Sequence, residues 1–301
     1  MKRRTFAKAA LSAAIVTSAS RVLGAVGANP SCEPAGTCVK RRRLANIEAE
    51  SGGRLGFFAV DTGSGRTLAY RADERFLMCS TFKGILAAQI FARVDRGEEQ
   101  LDRQIAYSQK DLIFTSPVTQ ANVARGAMSI DDLCRAILEE SDNTAAVLLM
   151  RSAGGPEALT AFVRRLGDIV TRSDRYEPQA NSYSGLLDTT SPRAIVTLAK
   201  TLLLGNALTA ESRARLERGM INCKPGRSRI RAVLPQSWIC ADRPGTSVGG
   251  ETNDYALVRP IGRHPLIVAA YFDAPSLAMA ERESVLRKAG ETFTRWAMEV
   301  A

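Results

Sequence analysis

Histidine is almost missing from this chain: His264 is the only one in 301 residues. It sits in Gly262-Arg263-His264-Pro265, a polar stretch that reads as a turn. A serine hydrolase built on histidine needs an imidazole with an orienting partner, so that arrangement is effectively excluded. No His-x-x-x-His or Cys-x-x-Cys spacing occurs. The common zinc sites are therefore excluded, and no metal or other cofactor is expected. No run of about 18 apolar residues is present, so nothing reads as a membrane span.

Acidic residues are absent before Ala28, while Lys2, Arg3, Arg4, Lys8 and Arg21 crowd that segment. A short run of small and apolar residues, 9–19, follows the basic start, and Val26-Gly27-Ala28 supplies a small-residue exit. Residues 1–28 therefore read as a secretory signal, of the twin-arginine kind because of Arg3-Arg4 and Phe6, and predict a soluble periplasmic protein. Without those five cations the net charge of +10 becomes 10 − 5 = +5. That is ordinary for a soluble domain and gives no reason to expect a nucleic-acid partner. The cluster Lys40-Arg41-Arg42-Arg43 reads as the solvated start of a helix running through Ile47, after a flexible lead-in over 29–40. Six cysteines are dispersed along the chain; Cys32 and Cys38 are close enough to pair after export, and Cys79 is either a thiol nucleophile or a small buried residue. A monomer is the default expectation.

Two extended runs, Leu55 to Thr62 and Arg66 to Arg71, flank Gly63-Ser64-Gly65 and predict a hairpin. From Ser80 the pattern is helical for about 140 residues, punctuated by Ser129-Ile130-Asp131-Asp132, Gly154-Gly155-Pro156 and Ser191-Pro192. Extended runs return at Ser237 to Asp242, Asp254 to Pro260 and Pro265 to Phe272, before a last amphipathic helix from Leu277. Strands at both ends around a helical middle predict an α/β (α+β) fold. Residues 29–76 with 221–301 would form a discontinuous α/β domain, and 77–220 an all-helical one.

The chemistry centres on Ser80-Thr81-Phe82-Lys83, the only Ser-x-x-Lys in the chain. At a strand-to-helix junction this spacing puts an amine one turn beyond a hydroxyl on the same face. A serine needs such a neighbour to take its proton, and here the base should be a lysine or a carboxylate. Three further pieces follow in order: Ser141-Asp142-Asn143 between two helices; Arg175-Tyr176-Glu177-Pro178-Gln179-Ala180-Asn181, in the longest irregular segment; and Asp242-Arg243-Pro244-Gly245-Thr246, which ends a late strand.

With these motifs the chain resembles a class A serine β-lactamase over nearly all its length after the signal. Glu74-Arg75-Phe76, Tyr107-Ser108, Ser116-Pro117-Val118-Thr119 and Arg229-Ile230-Arg231 match as well. The resemblance implies a five-stranded antiparallel sheet with flanking helices plus a helical domain, and hydrolysis of penicillins and cephalosporins through a serine acyl-enzyme. It implies that Ser80 attacks the lactam carbonyl, with its own N–H and that of Thr246, beside Gly245, holding the oxyanion. Lys83 and Glu177 compete as the acylation base, Ser141 relays a proton to the leaving nitrogen, and Glu177 with Asn181 directs the deacylating water. Asn143 would donate to a substrate amide and to Lys83, and Arg229 and Arg243 would face the substrate carboxylate. Arg175 and Asp188 fit a structural ion pair tying the loop's ends.

The chain departs from the family pattern at several places. Arg243-Pro244-Gly245 replaces the usual Lys-Thr-Gly or Lys-Ser-Gly, which removes a hydroxyl and a backbone donor and predicts weaker carboxylate binding. Thr115 stands where an aromatic is usual, and the Glu177 loop is shorter between Asn181 and Asp188. Ser247 stands where carbapenem-hydrolysing relatives often carry a cysteine bonded to the one before the nucleophile, so carbapenem hydrolysis is not expected. A D,D-peptidase and a slow-turnover β-lactam binder are the competing readings.

Overall fold

The computed structural model describes residues 35–299. The signal segment and Cys32 lie outside them. Helix α1 (Ala35–Ser51) leads into strands β1 (Arg54–Asp61) and β2 (Thr67–Tyr70). Between these strands the Asp61 carboxylate accepts from the N–H groups of Gly63 (2.9 Å) and Ser64 (3.2 Å), and Gly65 takes φ 74°. Those bonds make the hairpin turn that Gly-Ser-Gly announced.

The middle of the chain holds the short strands β3 (Phe76–Leu77), β4 (Gln104–Ala106), β5 (Ala127–Ser129) and β6 (Thr189–Thr190). Its helices are α2 (Phe82–Asp95), α3 (Pro117–Asn122), α4 (Ile130–Arg135), α5 (Asn143–Ser152), α6 (Gly155–Arg165), α7 (Pro192–Leu203) and α8 (Ala210–Ile221). Their starts follow the sequence signals. Ser129 accepts from Asp132 N, and Ser191 accepts from Ala194 N with Pro192 at the first helical position. Every residue of α2 from Phe82 to Ala92 is buried, which suits a helix apolar on all sides and makes the one charge there, Lys83, conspicuous.

Strands β7 (Ile239–Thr246), β8 (Glu251–Arg259) and β9 (Leu266–Asp273) complete a five-stranded sheet, ordered β2-β1-β9-β8-β7 and antiparallel throughout, before helix α9 (Met279–Met298). Alternation along β9 divides two cores. Leu266, Val268 and Phe272 face α1 and α9, with Leu44, Phe293 and Trp296. Ile267, Ala269 and Tyr271 face the other way, into a cluster that continues without a break through α2, α5 and α7.

Three expectations change here. Residues 35–40 are helical, and Lys40 is buried and paired with Glu299 where a solvated start was expected. Strand β7 runs on through Pro244 to Thr246, and β8 begins three residues before Asp254. Proline inside a strand is possible because β7 is the sheet edge, where a missing N–H costs no ladder bond. Among the described residues no helix is long and apolar enough to cross a membrane.

Candidate active site

Ser80 lies in a single 3-10 turn, Cys79–Thr81, that leads into α2. The turn is braced from several directions. Thr81 Oγ1 donates to Met78 O (2.7 Å), and Asn253 Nδ2 donates to Leu77 O (2.8 Å) and Met78 O (3.2 Å). The end of β7 presses against it so closely that a side chain on Gly245 would put Cβ 2.7 Å from Met78 O and 3.0 Å from Ser80 N. Glycine is therefore required there, and the strand end borders the Ser80 N–H.

One turn on, Lys83 is 0% exposed. Its Nζ donates to Ser80 Oγ (3.0 Å), Ser141 O (2.6 Å), Ser141 Oγ (3.2 Å) and Asn143 Oδ1 (2.5 Å). Burial pushes its pKa down to about 8, with the Glu177 charge pulling upward and the Arg243 charge pushing further down. An amine titrating near neutrality beside a serine hydroxyl is suited to take that hydroxyl's proton.

The second wall comes from the segment after α4. A five-residue π-helical turn, Ala136–Glu140, delivers Ser141 in the left-handed region (φ 60°). Cys79 (φ 49°) and Thr115 (φ 58°) share that conformation. Non-glycine residues held so cost about 1–3 kcal/mol each, and such strain collects at functional sites. Asp142, not singled out from sequence, fixes this wall. It is fully buried and accepts from Ala145 N (2.8 Å), Val118 N (2.9 Å) and Thr119 N (2.9 Å). An aspartate directly before a helical run is an N-cap signature that would have found it. Asn143 accepts from Lys83 where donation was expected, because an ammonium has no lone pair; its Nδ2 donates to Phe114 O (3.0 Å).

The third wall is the loop between α6 and α7. Asp188 ties its ends, accepting from Asp174 N (2.7 Å), Arg175 N (3.1 Å) and Arg175 Nε (2.6 Å). Inside it Glu177 is buried, and neither carboxylate oxygen has a hydrogen-bond partner among the described residues. Burial raises its pKa, against the opposing pull of Lys83. Asn181 Oδ1 is likewise buried and unpartnered.

The fourth wall is the end of β7 with the segment before it. Arg229 is buried; its guanidinium donates to Gly245 O (3.0 Å), Asn253 O (2.8 Å) and Thr246 Oγ1 (2.5 Å), and Nε pairs with Glu283 (3.2 Å). Together these walls enclose a cavity of about 500 Å³ bordered by Ser80, Ser141, Asn143, Asn181, Arg229, Gly245 and Thr246. Arg243 is not on its surface. It is 0% exposed and turns inward to Ile137 O (2.8 Å) and Leu138 O (2.6 Å), so the expectation that it faces a substrate carboxylate is corrected. Two carbonyls behind the wall outcompete solvent for its Nη1 donors.

A model of the β-lactamase enzyme family matches residues 40–297. The chain is 42% identical over 249 residues to the carbapenem-hydrolysing β-lactamase KPC of Klebsiella oxytoca, covering 82% of this chain and 85% of that protein. It is 44% identical over 234 residues to a β-lactamase of Streptomyces albus G, covering 75% and 74%. The crystal structure of a β lactamase from Burkholderia vietnamiensis superposes with a TM-score of 0.87 at 67% identity, covering 91% of this chain and all (100%) of that one. An ancestral class A β-lactamase gives 0.83 at 46% identity, covering 85% and 99%.

The chain belongs to the class A β-lactamases. It hydrolyses β-lactams, the chemistry of resistance to these antibiotics.

Several features of this β-lactamase's cavity were invisible to motif reading. Phe114, one residue before the missing aromatic at Thr115, is 57% exposed and borders the cavity, as do Val248 and Met279. No motif marks an apolar residue as wall or core; only the path of the backbone does. Ser247 Oγ donates to the buried Glu251 carboxylate and accepts from Gly249 N (2.9 Å), so a hydrogen-bonded staple shapes this loop. Burial holds the Cys79 thiol well above its usual pKa, which leaves it protonated and unreactive. His264 is exposed in its turn and does not border the cavity.

Proposed function

We propose that this β-lactamase acts on penicillins and cephalosporins through an acyl-enzyme on Ser80. The Ser80 oxygen bonds to the lactam carbonyl carbon, its proton passing to Lys83 or Glu177. The N–H groups of Ser80 and Thr246 receive the oxyanion. The ring C–N bond then breaks, and Ser141 passes a proton to the departing nitrogen. Glu177, with Asn181, takes a proton from a water that adds to the ester carbonyl, releasing the opened acid and restoring Ser80. The observation that carries this reading is the contact of a buried, pKa-lowered Lys83 with Ser80 Oγ (3.0 Å) and with Ser141. The two unpartnered Glu177 oxygens support the second half: a buried acceptor pair with a raised pKa is suited to orient and deprotonate water.

Substrate carboxylate recognition falls to Arg229 and Thr246, and Asn143 meets the substrate's side-chain amide. Residues 29–76 with 221–301 serve as the α/β part and 77–220 as the helical part, with the cavity between their contributions. Export by the twin-arginine route is supported by the basic, acid-free first 28 residues, and a monomer is the default that completes the reading.

Quenching a turnover mixture in acid, digesting it and mapping the mass of one intact β-lactam tests the chemistry. The adduct is expected on the peptide holding Ser80; an adduct elsewhere overturns the assignment. Pro244 borders the cavity and offers neither a hydroxyl nor an N–H. Restoring a donor with Pro244→Ser is expected to lower KM for carboxylate-bearing substrates roughly tenfold, the equivalent of one hydrogen bond to a charged group. Unchanged KM values in steady-state assays would place carboxylate recognition elsewhere.

A further inference from the structure

We propose that Arg243 is a positioning residue that caps the π-helical turn carrying Ser141, and is not a ligand of the substrate. Within a regular α-helix, Ile137 O and Leu138 O would accept from the N–H groups of Ser141 and Asp142. Here both of those N–H groups go to Ala136 O, the second at 3.2 Å, and Asn143 N goes to Thr115 O (3.0 Å). The π turn therefore leaves two buried carbonyls without their usual donors. Arg243 Nη1 supplies both, at 2.8 and 2.6 Å. An orphaned carbonyl at a buried helix end is costly, and a cation there also opposes the negative end of the helix dipole. One nitrogen makes both bonds, while Nε (3.4 Å) and Nη2 (3.5 Å) of the same planar group reach Pro244 O, a set of contacts that the single ammonium of a lysine does not reproduce.

The consequence reaches the reacting atoms. Residues 137 and 138 are followed within three residues by Ser141, whose left-handed backbone places both its carbonyl and its hydroxyl on Lys83 Nζ. Asn143, two residues further on, holds the same amine. Loosening the turn would misplace the proton relay and free Lys83 together, while Arg229 and Thr246 keep their own contacts at the opposite wall. The Arg243 charge also pushes the Lys83 pKa down, which favours its neutral, proton-accepting form.

The inference rests on the acyl-enzyme reading above, and the test separates the two. A β-lactam acid and its methyl ester are compared on wild type, Arg243→Lys, Arg243→Gln and Arg229→Lys, with rates normalised to the concentration of acylable sites. A positioning role lowers kcat/KM at least tenfold on acid and ester alike in both Arg243 variants, leaving the acid-to-ester ratio within about twofold of wild type. Arg229→Lys lowers that ratio. A loss confined to the acid in either Arg243 variant, or no loss on both compounds, overturns the inference. Arg243→Lys retains the charge and most of the volume, so the comparison stands if Arg243→Gln does not fold. Absence of any Ser80 adduct in wild type overturns the acyl-enzyme reading instead.

Discussion

Glu177→Gln is expected to acquire a β-lactam at Ser80 and then keep it. Lys83 retains its contacts with Ser80, Ser141 and Asn143, so the hydroxyl stays primed and an acyl-enzyme forms. The hydrolytic step loses its base, and removal of a positioned general base costs about 10²–10⁴-fold. Mass spectrometry should show a persistent adduct, and steady-state turnover should fall to match. The same change should stabilise the protein. Burial raises the Glu177 pKa because desolvation exceeds the attraction of Lys83. A raised folded-state pKa means that the ionised group destabilises the fold above that pKa and ceases to do so below its solution value. The neutral amide should therefore melt above wild type at neutral pH, and the gain should shrink toward pH 4. A variant that still turns over freely, or that melts below wild type at pH 7, would remove Glu177 from the role given to it.

Ser80→Ala should produce the largest single loss, about 10⁶-fold in kcat, as when a nucleophile is removed from a unit that acts together. The fold should survive. Lys83 gives up only one acceptor, keeping Ser141 O at 2.6 Å and Asn143 Oδ1 at 2.5 Å, so the melting temperature should stay within a few degrees of wild type. Because the amine works only through the hydroxyl, Lys83→Ala and the double variant should sit near the same floor, with effects far from additive. Rates measured with a chromogenic cephalosporin decide this. An active Ser80→Ala protein would end the nucleophile assignment, and losses that multiply would show that Lys83 acts by another path.

Glu177 also shows why a site is only partly legible before folding. The family resemblance implied that it directs the deacylating water, but not that both oxygens would be buried without a partner. Asn143 was read as a donor to Lys83, and the opposite polarity follows once the ammonium is seen to be surrounded by acceptors. Phe114 supplies an aromatic to the cavity from one residue earlier than the position that the family pattern watches.

What the chain's order alone decided was short-range: the Ser80–Lys83 spacing along one turn, the Asp61 hairpin, the caps at Ser129 and Ser191, the Arg175–Asp188 tie, and the alternation that sends Phe57 and Phe58 to opposite faces of the sheet. Each depends on atoms within one turn or one loop, at most 13 residues apart, or on a simple period, so local rules suffice. The fate of Arg243 needed the assembled molecule. A long flexible cation goes wherever unpaired acceptors are left, and those at Ile137 and Leu138 come from a turn more than 100 residues away. Burial, the direction of long side chains and the pKa values that follow from them are properties of the packed interior, which no stretch of sequence contains by itself.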